Sequence, residues 1–234
     1  MRRTALSLAL LLAAAELLSA SQRVSFRTDD GVTIAATWHE PSQRPAPAVI
    51  FVHMLHRSRR DWDPVASRLA SEGIGALTID LRGHGESSGS AESGEGTSYP
   101  SFVLDLKAAR RYLATRSDVQ PSRIGMGGAS LGANLAVLHA SADAGVVSLA
   151  LLSPSLDYRG LRIEQALKKY GSRPALLVAS DDDPYARRSA RELERGGPGL
   201  RENVLLSQAG HGTVMLGRDG DLTRRLVDWF RRTL

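Results

Sequence analysis

The chain has 234 residues, a length that suits one globular domain with a well-filled core. Its make-up is ordinary, with 42% hydrophobic and 24% charged residues, and the formal charge of +5 comes from scattered arginines without interleaved aromatics, which argues against a nucleic-acid surface. There is no cysteine, which excludes disulfides, thiolate metal sites, a cysteine nucleophile and a lipid-modified bacterial lipobox.

Arg2 and Arg3 precede an apolar stretch, Ala5–Ala15, and the small residues Ser19-Ala20-Ser21 follow. A basic start, a short apolar centre and small residues at a cut site form the layout of a signal peptide. Cleavage is expected after Ala20 or Ser21, leaving 21–234 as a single domain. The apolar run is short for a full membrane span. The mature chain is therefore expected in the periplasm or secreted, with no stable membrane insertion. An uncleaved segment would instead tether it at the N-terminus.

Arg23–Arg27 and Val32–Trp38 alternate as strands do, with Asp29-Asp30-Gly31 as the turn of an antiparallel hairpin. Ala48–Val52 is a continuous apolar run, as expected of a strand covered on both faces. It ends at His53-Met54-Leu55-His56. Arg60–Glu72 has helical spacing, with Trp62, Val65, Ala66 and Leu69 on one side. Ile74–Ile79 is a second buried strand, running into Asp80-Leu81-Arg82-Gly83-His84-Gly85-Glu86-Ser87. Ser88–Tyr99 reads as a polar loop, a candidate flap. Ser101–Thr115 is helical.

Ile124–Met126 then enters a glycine-rich turn that delivers Ser130, and Leu131–His139 leaves it with helical spacing. Gly128-Ala129-Ser130-Leu131-Gly132 fits the G-x-S-x-G nucleophile elbow. Small residues two before and two after the serine let strand and helix approach. The serine itself must take a strained backbone. The helix start supplies free N–H groups and a dipole suited to developing negative charge. Gly125 and Gly127 also suggest a dinucleotide loop. That motif needs a third glycine where Ser130 stands and a place in the first strand–helix–strand unit. A phosphate-binding P-loop fails as well, because Ala133 follows Gly132.

Val146–Leu152 is a strand, Leu161–Tyr170 a short helix, Ala175–Ala179 a strand, and Tyr185–Glu194 a helix. Asn203–Ser207 is the last strand, followed by Gln208-Ala209-Gly210-His211-Gly212. Asp219–Arg232 closes the chain as an amphipathic helix. Strands alternating with helices imply a parallel sheet covered on both faces, with functional groups at the carboxyl ends of the strands. Ser130, Asp182 and His211 each fall just past such an end. A serine hydroxyl needs a base, histidine has the right pKa, and a carboxylate holds the imidazole tautomer. The chain order serine, aspartate, histidine is that of α/β-hydrolases.

On Val49–Trp62, Ile79–Gly89, Ile124–Asn134, Ala175–Pro184 and Ala209–Gly212, the chain resembles an α/β-hydrolase, of the compact kind similar to dienelactone hydrolases and small esterases. The resemblance implies a mostly parallel sheet of about eight strands with helices on both faces. It implies a serine hydrolase that cleaves carboxylic esters through an acyl-enzyme, with Ser130 as nucleophile and His211 as base. It places the acid three residues after Ala179, at Asp182, with Asp183 and Asp181 as alternatives that cap the following helix. The backbone N–H groups of Leu131 and of Leu55, with Met54 as alternative, would form the oxyanion hole. Many relatives carry His-Gly-x where this chain has His53-Met54-Leu55. No metal or organic cofactor is implied, and the partner is a small-molecule ester. A peptidase, an acyltransferase or a non-catalytic binding module would share the fold. Only Ser155–Arg173 lies where larger relatives carry a lid, which implies minimal or no lid and small or exposed acyl groups. His84 reads as structural. His53 and His56 read as loop packing, because no third ligand follows at zinc-site spacing. His39 and His139 have no partner legible in the sequence.

Overall fold

A computed structural model describes residues 20–91 and 99–234. The signal-peptide reading falls almost wholly on residues outside these, and so does the centre of the proposed Ser88–Tyr99 flap. No helix among the described residues is long and apolar enough to cross a membrane.

The strands are β1 (Ser21–Arg27), β2 (Thr33–His39), β3 (Ala46–Val52), β4 (Gly75–Ile79), β5 (Val119–Ala129), β6 (Val146–Leu152), β7 (Asp157–Tyr158), β8 (Leu161–Arg162), β9 (Ala175–Ser180) and β10 (Arg201–Leu206). Eight of them form one sheet in the order β1-β2-β4-β3-β5-β6-β9-β10. The first two pairings, β1 with β2 and β2 with β4, are antiparallel; the rest are parallel. The helices are α1 (Asp63–Ser71), α2 (Val103–Ala114), α3 (Leu131–Ala142), α4 (Glu164–Tyr170), α5 (Pro184–Arg195), α6 (Met215–Arg218) and α7 (Leu222–Thr233).

The amphipathic stripes sort the helices to the two faces. Trp62, Leu69, Leu226, Trp229 and Phe230 pack α1 and α7 on one face, against Phe51 and Leu176. Leu106, Leu113, Leu135, Leu167 and Leu193 bring α2, α3, α4 and α5 to the other, against Ile50, Leu77 and Leu177. Covered on both sides, the central strands are apolar at nearly every position, as their sequences indicated.

Three elements differ from the sequence reading, one being the short helix α6, which it did not contain. β5 begins at Val119, well before the apolar run, because its polar first half lies at the open end of the sheet, where Pro121–Arg123 are exposed. The helix expected from Leu161 starts at Glu164. Leu161 instead closes the β7–β8 hairpin, with Gly160 at φ 91° in the turn and the Leu161 carbonyl bound by Asn134.

Candidate active site

Ser130 lies between β5 and α3 with φ 51° and ψ −114°, a left-handed conformation that side chains disfavour. The glycines around it are fixed by contact. A Cβ on Gly128 would stand 2.3 Å from the Gly132 carbonyl oxygen, and one on Gly132 would stand 2.4 Å from that of Val52. Strand, turn and helix therefore close to within backbone contact, and the start of α3 lies against the end of β3. Ser130 is 5% exposed, and its N–H donates to Leu152 O at 2.9 Å.

The loop carrying His211 is seated on the next residue of the same strand end. Gly212 N donates to Ser153 Oγ at 2.9 Å, and a Cβ on Gly212 would lie 3.7 Å from that of Ala129. His211 and Ser130 thus flank one point beyond β6. The imidazole is about half exposed, and its Nδ1 pairs with Asp183 Oδ2 at 2.5 Å.

The carboxylate that meets His211 is thus Asp183, where the sequence reading expected Asp182. Asp182 turns away from the histidine: its Oδ1 accepts the Ser180 hydroxyl and the Gly210 N–H at 3.0 Å. The Ser180 hydroxyl, then the Gly210 N–H, hold its carboxyl below the usual carboxylate range. Asp181 accepts Gln208 N at 2.7 Å and the Ser207 hydroxyl at 3.0 Å, and the Gln208 N–H leads in lowering its pKa. The three aspartates divide the work. Asp181 and Asp182 brace the loop that holds His211, and Asp183 meets the ring. Asp183 also caps α5, since its Oδ1 accepts Ala186 N at 3.2 Å. Pro184 at the first helical position makes that cap legible in the sequence. What sequence reasoning missed is that one carboxylate does both jobs, one through each oxygen.

The loop after β3 is held by a buried histidine. His53 Nδ1 lies 2.7 Å from Met54 O, and Leu81 N donates to Nε2 at 3.0 Å. A carbonyl only accepts and an N–H only donates, so the ring is neutral with its proton on Nδ1. Burial drives its pKa down to about 4. Both ring nitrogens of His53 are occupied by contacts within the site's loops. Met54 packs its thioether against Gly212; a Cβ on that glycine would lie 2.5 Å from Sδ. Among the described residues, neither Leu55 N nor Leu131 N donates a hydrogen bond. Asp61 ties this loop to the histidine loop, accepting Arg57 Nε at 2.8 Å and the Thr213 hydroxyl at 2.5 Å. A cleft of about 530 Å³ between Arg57, Pro64, Thr213 and Arg218 borders the same two loops without including Ser130.

The Asp80–Ser87 segment is scaffold. Buried Asp80 accepts from Arg59 and from Glu86 N, and a Cβ on Gly85, at φ 52°, would strike its carboxylate at 2.1 Å. Arg82 spans Asp105 and Asp30 with contacts of 2.7 Å to each. His84 Nδ1 lies 2.9 Å from the Arg82 carbonyl, and its ring lies tilted against that of His53, centroids 5.0 Å apart. His39 and His139 stand 3.5 Å from Asp63 and Asp143, respectively, away from the site.

The sheet order, the strained serine elbow and the histidine loop at the strand ends define an α/β-hydrolase. The chain belongs to the α/β-hydrolase family described as serine aminopeptidase, S33, which its residues 43–192 match. It is 30% identical over 153 residues to the putative hydrolase YtaP of Bacillus subtilis, covering 56% of this chain and 50% of that protein. The chain spans about half the length of the curated relatives it matches. Among solved structures, dienelactone hydrolase from Anabaena variabilis superposes with a TM-score of 0.78 at 20% identity, covering 93% of this chain and 99% of that one. Est1E from Butyrivibrio proteoclasticus, solved with ferulic acid bound, gives 0.76 at 18% identity, covering 89% and 98%.

Proposed function

We propose that the protein is a serine hydrolase that cleaves carboxylic esters of small or exposed acyl groups. The observation that carries the reading is the His211–Asp183 pair, held on a loop that shares its strand end with the strained Ser130 turn. In this reading, Ser130 Oγ attacks the ester carbonyl while His211 Nε2 takes the hydroxyl proton. Asp183 keeps the other ring proton on Nδ1 and stabilises the imidazolium. The oxyanion forms at the start of α3, facing the N–H groups of Leu131 and Leu55. His211 then returns the proton to the leaving alcohol. Water, deprotonated by the same ring, releases the acid from Ser130. The half-exposed imidazole and the shortness of the β7–β8 hairpin support an open site rather than a deep tunnel.

The test sets wild type beside Ser130→Ala, with p-nitrophenyl acetate and butyrate, aminoacyl-nitroanilides and a fluorophosphonate label. Ester cleavage and labelling that both vanish in the variant are the expected result. Cleavage of the nitroanilides alone would move the assignment to a peptidase. Absence of labelling in wild type would overturn the enzyme reading.

A further inference from the structure

Helix α5 carries Arg187, Arg191 and Arg195 on one stripe, spanning about 12 Å along its axis. They line a groove of about 290 Å³ against β10, whose Asn203 and Leu205 also face it. Among the described residues, none of the three reaches a carboxylate. Of the two glutamates on the same helix, Glu192 pairs with Arg188 at 2.8 Å, and Glu194, which lies in the same groove, accepts Asn203 Nδ2 at 2.9 Å rather than an arginine. Most other arginines are matched, as Arg59 is by Asp80, Arg82 by Asp105, Arg116 by Asp118 and Arg232 by Glu202. Like charges four residues apart weaken a helix. Among the described residues, the three arginines therefore outnumber the one carboxylate in their groove, and none of them is ion-paired.

A second, independent observation falls on the same flank. Among the described residues, the exposed large hydrophobic side chains are Tyr185, at the start of α5, and Leu200 and Leu205, which are 52% and 49% exposed. Leu205 lines the groove, and Leu200 stands at the turn into β10. Because α5 joins two parallel strands, it runs antiparallel to β10. Arg187 thus lies towards the Leu205 end and Arg195 towards the Leu200 end. Cations in a row with bare leucines at both ends match the interface of an anionic bilayer, where phosphates meet acyl chains.

We propose that the α5–β10 flank docks on an anionic phospholipid surface, with the arginine stripe on the lipid phosphates and the two leucines at the acyl boundary. β10 is also an edge strand, open to pairing with a second copy. Twofold pairing there would set one arginine stripe beside another, which disfavours it. A nucleic acid would satisfy the arginines but leave both leucines in water, and no aromatic ring lines the groove for a base to stack on.

The experiment measures co-sedimentation of the full chain with vesicles of phosphatidylcholine alone and of equal parts phosphatidylcholine and phosphatidylglycerol. Arg191→Gln/Arg195→Gln is compared with the charge-matched Arg27→Gln/Arg225→Gln, whose side chains also pair with no carboxylate among the described residues but lie elsewhere. All variants share the same N-terminal apolar stretch, so its own affinity for lipid cancels. Each arginine at an anionic surface contributes roughly fivefold, so the α5 pair should weaken binding to the anionic vesicles on the order of 25-fold. The control pair should have little effect, and Leu205→Ser should weaken binding to the same vesicles further. Equal losses in the two double variants, equal binding to both vesicle types, or binding to a DNA duplex but not to vesicles would each overturn the proposal.

Discussion

Replacing Asp183 by asparagine tests the site at its most specific point. The native carboxylate uses Oδ2 for His211 Nδ1 and Oδ1 for Ala186 N at the start of α5. Asparagine has only one acceptor oxygen for these two donors. If the oxygen keeps the helix cap, the amide NH₂ faces His211. The ring must then accept at Nδ1 and carry its proton on Nε2, where it cannot take the proton of Ser130. If the oxygen keeps the histidine, NH₂ opposes the Ala186 N–H and the cap is lost. Either way one of the two bonds is lost, and in the first arrangement the tautomer is wrong. Such a tautomer error costs a serine protease about 10⁴ in kcat, or about 5 kcal/mol of transition-state stabilisation. The expected loss for Asp183→Asn is therefore 10³- to 10⁴-fold in ester hydrolysis, with the fold retained. Asp182→Asn should stay within about tenfold of wild type, because its carboxylate only braces the loop through Ser180 and Gly210. Steady-state rates on p-nitrophenyl butyrate decide the matter. A crippled Asp182→Asn beside a near-normal Asp183→Asn would refute the reasoning.

His53 should make stability pH-dependent. Its folded pKa, about 4, lies below the ordinary value near 6.5, so the unfolded chain takes up the proton first as pH falls. The stability is present above about pH 6.5 and lost towards pH 4; between pH 7 and 5 the loss is about 2 kcal/mol. Urea midpoints at both pH values should show this component in wild type and not in His53→Gln. Arg82→Met should cost about 3–5 kcal/mol in the same assay, because it strands the buried Asp105 carboxylate; a loss under about 1 kcal/mol would contradict the buried pairing. Gly212→Ala should cost about 1–2 kcal/mol from its φ of 59° and lower the hydrolysis rate about tenfold by crowding Met54. Adding Met54→Ala should restore part of that rate, and no recovery would mean that the two side chains do not compete for space.

The parallel core was legible in the sequence because strands buried on both faces must be apolar at nearly every position, as Ala48–Val52 is and as Val146–Leu152 is apart from Ser148. The serine turn was legible because its glycines answer to backbone contact rather than to any one partner. The carboxylate that meets His211 was harder to read. Adjacent carboxylates differ only in where the backbone aims them, and that depends on Gly210 and Gln208 in a loop 28 and 27 residues away. The cap that Asp183 makes was visible beside Pro184 but gave no hint of its second oxygen. The neutral tautomer of His53 was equally hidden, since it depends on Leu81 from another strand end. The stripe on α5 could be read from its spacing, but whether its charges find partners is a property of the folded surface.

Asn134 offers one more consequence. Its Nδ2 donates to Ser155 O and Leu161 O, both at 2.8 Å, and its Oδ1 accepts Ser155 N at 3.1 Å. This one side chain, a single turn along the helix from the serine, grips both feet of the β7–β8 hairpin and ignores what lies between them. The segment from Asp157 to Gly160 is thus a graft point. A longer insertion there would inherit ready-made anchors beside the site, so new substrate preferences could be tried without retuning the elbow beneath.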